Sequence, residues 1–308
     1  MKILIIETGR LSLSTSISHV KNSLEIHKYL NKFSDCVCEI VDSFSHVDEK
    51  KQYDIILISS ASMHFDFMKF ERLIDGQRKC RIGWITNEFE LFANDFVKKR
   101  MDFIITNFDE KAVKKAHKHN DFLSVNLNVL KARPRNQEAI KKYGCCYYGT
   151  YRKYRERYFR KYLRDDTVLL STSKKNVVRF FDLGVDCRYT DRFSWRESME
   201  TLNLFKASLY IEDTKTHDWF NYMADRFFEG LFCNTPLFFD VSCLNTIQKD
   251  IYHVDDYFVV NSLGELRSRI KEIDKDKREK FLSHNTELAL DEKKKVVREL
   301  YNFLGGLV

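Results

Sequence analysis

The sequence predicts an α/β protein made of two parallel-sheet domains, each with helices on both faces of its sheet. Three observations predict it. Short apolar runs alternate with amphipathic helical stretches along the chain. The alternation breaks in one polar segment, KARPRNQEAIKKYG (131–144), and then restarts. The length, 308 residues, exceeds one ordinary core and suits two.

Each element has its own signal. KILIIE (2–7) is a short apolar run, and Ile17, Val20, Leu24, Tyr29 and Leu30 recur at helical spacing over 15–33. VCEIV (37–41) and DIILISS (54–60) read as strands, the latter followed by a helix through Phe67, Phe70 and Leu73. CRIGWIT (80–86) and MDFIITN (101–107) are strands on either side of a helix at 89–100. A helix at 109–119 and the strand FLSVNLNV (122–129) close the first series. Pro134 lies in the polar break, so the boundary is placed there: 1–135 and 136–308, the final helix being free to pack back on the first domain. The second series is CCYYGT (145–150), a very basic helix at 154–164, TVLLS (167–171), a helix at 175–183, CRYTD (187–191), a helix at 194–205 and ASLYIED (207–213). The helix DRFFEGLF, the strand PLFFDV (236–241), YFVVN (257–261) and helices from 263 onward complete it. A cleft is expected at the carboxyl ends of the strands, where open α/β sheets bind ligands.

Composition excludes several classes. Apolar residues make up 44% and charged residues 31%, which fits a folded globular chain. No apolar run reaches the ~20 residues of a membrane span. The start, MKILIIETGR, lacks a small-residue cleavage site and reads as a strand, so the protein is expected in the cytoplasm. Eight cysteines form no C-x-x-C pair and are expected as reduced, buried thiols. A net charge of +7 suits an anionic partner. After the first strand, ETGRLSLST holds a single glycine, so no G-x-G-x-x-G follows, and no P-loop occurs anywhere; this argues against nicotinamide dehydrogenases and P-loop NTPases.

One carboxylate, Glu229, stands inside the apolar helix DRFFEGLF, which runs through Cys233, Asn234 and Thr235 to Pro236 and the strand LFFD. A helix bearing Glu, a turn of small residues, Pro and an apolar strand resembles the GT-B glycosyltransferases, whose two Rossmann-like domains face across a cleft. The resemblance implies a nucleotide-diphospho-sugar donor, with Glu229 accepting from the ribose hydroxyls and Arg226 nearby. Asn234 stands where that family usually has Gly, and Asn tolerates the left-handed backbone such a turn needs. The competing reading is a Glu229 that faces solvent on an amphipathic helix.

A diphosphate needs positive charge at strand ends. Arg152 and Arg155 follow Gly149–Thr150, and Lys174 and Lys175 follow TVLLSTS. The resemblance implies that such groups replace a metal ion, so no metal or other cofactor is expected. Arg157, Arg160 and Lys161 continue the basic run and are expected to face solvent or duplex DNA. The loop before the Glu229 helix offers Asp213, His217 and Asn221 to the donor. On the acceptor side Glu88 is the preferred catalytic group, with His64 and Asp66 as further candidates; Asn87 and Glu90 read as a helix-capping pair.

The narrower pattern E-x-x-x-C-x-T-P-x-F (229–238), with the MKILII start, is similar to T-even phage DNA α-glucosyltransferases. It implies sugar transfer, with retention, to a 5-hydroxymethylated base in phage DNA in the host cytoplasm. The alternatives are a transferase for a surface glycan or a protein, and a non-catalytic nucleotide- or nucleic-acid-binding protein.

Overall fold

The computed structural model describes residues 1–7, 18–59, 66–77, 79–86, 99–116, 121–191, 193, 201–212, 220 and 222–308, with backbone alone for 18–21 and 67. The chain divides into two compact units: Met1–Lys131 with Glu292–Val308, and Ala132–Asp291.

The first unit holds a six-stranded sheet: β1 (Lys2–Glu7), β2 (Val37–Val41), β3 (Ile55–Ser59), β4 (Arg81–Thr86), β5 (Phe103–Thr106) and β6 (Asp121–Ser124), in the order β2-β1-β3-β4-β5-β6. Every pairing is parallel. Ile3 to Ile6 and Ile55 to Ile58 are fully buried, as expected for parallel strands covered on both faces. One face packs Leu4, Ile6, Ile56, Ile58 and Trp84 against Phe70 and Leu73 of α2 (Phe67–Asp75). Helices α1 (Ser18–Leu30) and α3 (Glu110–Ala116) complete the series. Asp66 accepts from the Lys69 amide at 3.1 Å and caps α2, so this acceptor-side candidate is a helix cap.

The second unit repeats the plan with β7 (Tyr143–Tyr148), β8 (Val168–Thr172), β9 (Tyr189–Asp191), β10 (Phe205–Tyr210), β11 (Leu237–Asp240) and β12 (Val259–Val260), in the order β12-β11-β10-β7-β8-β9 and all parallel. Its helices are α4 (Glu156–Tyr162), α5 (Lys174–Asp182), α6 (Asp225–Phe232), α7 (Leu244–Lys249), α8 (Leu263–Glu272) and α9 (Lys275–Gly305), whose last turns belong to the first unit. Phe227, Phe239, Phe258 and Phe281 form the aromatic centre of its core. Two parallel-sheet halves of this kind are the α/β architecture read from the sequence.

Several element boundaries differ from the sequence reading. The strand expected over 122–129 stops at Ser124, because the Leu127 amide donates to Asn107 Oδ1 at 2.7 Å and the chain turns into a 3₁₀ segment, Leu127–Lys131. The basic helix expected over 154–164 is a 3₁₀ turn, Lys153–Arg155, followed by the short α4. The strand expected over 257–261 shrinks to β12, since Asp255 caps a 3₁₀ turn over Asp256–Phe258. The expected helices at 89–100 and 194–205 fall mostly outside the described residues. Among the described residues no helix is long and apolar enough to cross a membrane.

Candidate functional site

In the second unit the chain runs outward from β7 to β8 and β9, then returns to the other side of β7 as β10. The direction of winding therefore reverses between β7 and β10. The carboxyl ends of two such strands splay their following loops apart, leaving the crevice where open sheets take ligands.

Charged side chains from three loops meet here. Past β7, the Gly149 amide donates to Ser171 O at 3.2 Å and Thr172 Oγ1 donates to Gly149 O at 2.9 Å, which fixes the strand end. The 3₁₀ turn then brings the Arg155 guanidinium onto the carboxylate of Glu212, two residues past β10. Arg226, in the first turn of α6, donates to Ile211 O at 3.0 Å and lies 3.6 Å from the other Glu212 oxygen. Its guanidinium sits over the rings of Tyr147 and Tyr210, at 5.4 and 5.7 Å. Side-chain exposures are 12% for Arg155, 13% for Arg226 and 3% for Glu212, so the triad is nearly dry. Burial is the largest influence and opposes both arginine charges, but Glu212 together with Tyr147, and for Arg226 also Tyr210 and Tyr148, outweighs it and holds each guanidinium above its ordinary range. The two guanidinium groups thus converge on one carboxylate. Such an arrangement is suited to a second anion.

Glu229 lies one turn beyond Arg226 on α6 and on the same side. Phe227, Phe228, Gly230 and Leu231 turn into the core, while Arg226 and Glu229 remain half-buried. Burial first, then the Glu229 charge, pushes the Tyr148 hydroxyl well up, and the same two causes act on the Cys233 thiol. The carboxylate is thus close enough to act on both groups, and it is neither core nor open surface.

The turn after α6 is tightly specified. The Thr235 amide donates to Gly230 O at 2.9 Å and the Asn234 amide to Leu231 O at 3.2 Å, the paired bonds of a Schellman cap. Asn234 takes φ 53°, the left-handed conformation expected of it. Its side chain accepts from Arg135 Nε at 2.6 Å and donates to Asn136 O at 2.7 Å, contacts that glycine could not make. A Cβ on Gly230 would come within 2.7 Å of Thr235 O, so α6 can lie this close to the turn only with glycine there.

The expected site residues separate into three groups. Arg155, Arg226 and Glu229 are brought to the switch point. Arg152, Lys174 and Lys175 are exposed and have no part in the triad. Lys161, expected to face DNA, instead donates to the buried Asp240 at 2.7 Å and to Asn261 Oδ1 at 3.0 Å, because a carboxylate 1% exposed needs a cation. Arg157 packs over the Tyr158 ring at 4.6 Å and Arg160 donates to Leu183 O at 3.0 Å; both are exposed. Glu88, His64, Asp213, His217 and Asn221 lie outside the described residues. The sequence reading missed Glu212, Tyr147 and Tyr210. The only trace of Glu212 in sequence is a carboxylate at the end of an apolar run.

No family profile matches the sequence, and no curated protein is significantly similar to it. Solved structures do share its fold. The DNA-modifying β-glucosyltransferase, solved with and without its substrate uridine diphosphoglucose, superposes with a TM-score of 0.74 at 17% identity, covering 99% of this chain and 98% of that one. T4 phage BGT in complex with UDP and Mn²⁺ gives 0.75 at 17% identity, covering 99% of both chains. An α-glucosyltransferase in complex with UDP and a 13-mer DNA containing an HMU base gives 0.70 at 13% identity, again over 99% of both. The fold is thus that of the phage DNA glucosyltransferases, in agreement with the GT-B resemblance read from the sequence. One expectation is corrected: the site was expected to be metal-independent, yet T4 phage BGT holds Mn²⁺ together with UDP. Among the described residues no group of three or more His, Cys, Asp or Glu side chains is placed to hold a metal. The described residues do not by themselves fit one.

Proposed function

We propose that the chain is a glycosyltransferase that moves glucose from UDP-glucose to a 5-hydroxymethylated base in duplex DNA, in a phage-infected cell. The observation that carries the reading is the convergence of Arg155 and Arg226 on Glu212 at the switch point, with Glu229 one turn further along the same helix. Similarity of fold to β- and α-glucosyltransferases over 99% of the chain supports it.

In this reading the diphosphate lies against the converging guanidinium groups of Arg155 and Arg226. Negative charge builds on the leaving UDP as the glycosidic bond breaks, and two guanidinium groups fixed in a dry site stabilise it more than the ground state. Glu229 accepts from the ribose hydroxyls, which sets the register of the nucleotide. Glu88 and His64 remain the proposed acceptor-side groups: they follow β4 and β3 in sequence by two and five residues. No step is routed through a metal. Retention follows the resemblance to the α-enzymes; β-glucosyltransferases share the fold, so the anomer of the product decides the point. Incubation with UDP-glucose and hydroxymethylated duplex tests the function. Glucosylated base is expected. UDP binding without transfer to DNA, but with transfer to a glycan or protein, would favour the alternative acceptors.

A further inference from the structure

The second unit carries another cationic cavity, built from different residues. Arg157, Arg160, Lys161 and Arg164 follow one another along α4 and just past its end, at spacings that share one side of a helix. With Asn261 to Gly264, at the start of α8, they line a cavity of about 430 Å³. Among the described residues no carboxylate lines it. The neighbouring cavity, about 630 Å³, shares Arg164 and is lined by Asp165, Asp166 and Asp186 as well as Arg267 and Lys271, so it is not a purely cationic one.

The cations are held in place. Arg160 donates to Leu183 O, Arg164 Nε to Arg160 O, and Arg157 packs on the Tyr158 ring. Lys161 is neutralised by Asp240. Glu265, the nearest carboxylate on α8, is turned to the Asn261 amide at 2.8 Å and to Arg269. Among the described residues Arg157, Arg160 and Arg164 form no ion pair; Arg157 and Arg160 line only this cavity, and Arg164 stands between it and its neighbour.

We propose that this cavity is a phosphate-binding groove that holds the sugar–phosphate backbone of the acceptor duplex. The proposal rests on the reading above that the acceptor is DNA. Guanidinium groups take phosphate oxygens bidentately, and side chains already anchored lose less freedom on binding. The groove positions the duplex without reading its sequence.

The test uses the whole chain and a short duplex carrying 5-hydroxymethylcytosine, with affinity measured by fluorescence anisotropy over a series of salt concentrations. Arg157→Ala with Arg164→Ala removes two exposed phosphate contacts. The slope of log affinity against log salt should fall in magnitude by about 1.8, with UDP affinity and melting temperature unchanged. The double Lys variant keeps both charges and should restore the slope. An Ala variant with the wild-type slope overturns the groove while the DNA reading stands. A wild type that binds no duplex at low salt overturns both.

Discussion

Replacing Glu212 with Gln keeps the size of the side chain and removes the negative charge that Arg155 and Arg226 share. At 3.6 Å the Arg226–Glu212 attraction is roughly 4–5 kcal/mol gross at an effective dielectric of about 20. The Glu212 side chain is only 3% exposed, so water screens the pair little. Removing one partner of such a pair costs about 3–5 kcal/mol net, because the remaining charge is stranded. For a unit the size of Ala132–Asp291 this corresponds to a fall in Tm of roughly 6–20 °C. The diphosphate of UDP would resupply negative charge to the two arginines. UDP should therefore raise the Tm of Glu212→Gln by more than it raises that of the wild type. Calorimetry at low salt, with and without UDP, reads both quantities. An equal UDP increment in the two proteins would refute the claim that the diphosphate enters this arginine pair. An undiminished Tm in the absence of UDP would refute the energetic argument itself.

Other perturbations separate the remaining roles. Glu229→Gln should leave the Tm near wild type and weaken UDP binding by about 1.5–3 kcal/mol, read by titration calorimetry, as expected for a lost charged hydrogen bond. Arg226→Ala should weaken UDP binding more than Arg152→Ala or Lys174→Ala, whose exposed charges are worth at most about 1 kcal/mol; the reverse order would move the phosphate site onto the surface residues. Asn234→Ala should destabilise by about 2–4 kcal/mol in urea melts, and Asn234→Gly by less, because glycine keeps the left-handed backbone and loses only the side-chain bonds. Burial works against the Asp240 charge, but hydrogen bonds from Lys161, Ser242 and Tyr162 outweigh it and hold the carboxyl below its ordinary range. A folded pKa below the unfolded value gives stability that is present above about pH 4 and lost as pH falls through the folded pKa. Asp240→Asn should flatten that acid limb of a Tm–pH curve.

The fold was legible because parallel strands covered on both faces read as unbroken apolar runs, as at Ile3 to Ile6 and Ile55 to Ile58. The Glu229 helix was legible because Asn234 and Pro236 mark its end, and each does so through its own backbone. Glu212 was not legible. Its partner Arg155 is 57 residues away, and only the return of the chain from β9 to β10 brings them together. The basic run at 152–164 was legible only in part. Helical spacing cannot tell Lys161, which turns onto an aspartate 79 residues further on, from Arg157, which does not. Strand ends were misplaced where a side-chain bond from elsewhere in the chain, such as Asn107 Oδ1 accepting from the Leu127 amide 20 residues on, drew the backbone off the ladder.

The most direct measurement is transfer of radiolabelled glucose from UDP-glucose to duplex DNA by the purified protein. Hydroxymethylated and unmodified duplexes of the same sequence are compared, with Mn²⁺ present and absent. The account predicts label in the hydroxymethylated duplex alone, and loss of that label in Arg226→Ala. Label in neither duplex, from a protein that still binds UDP and DNA, would contradict it.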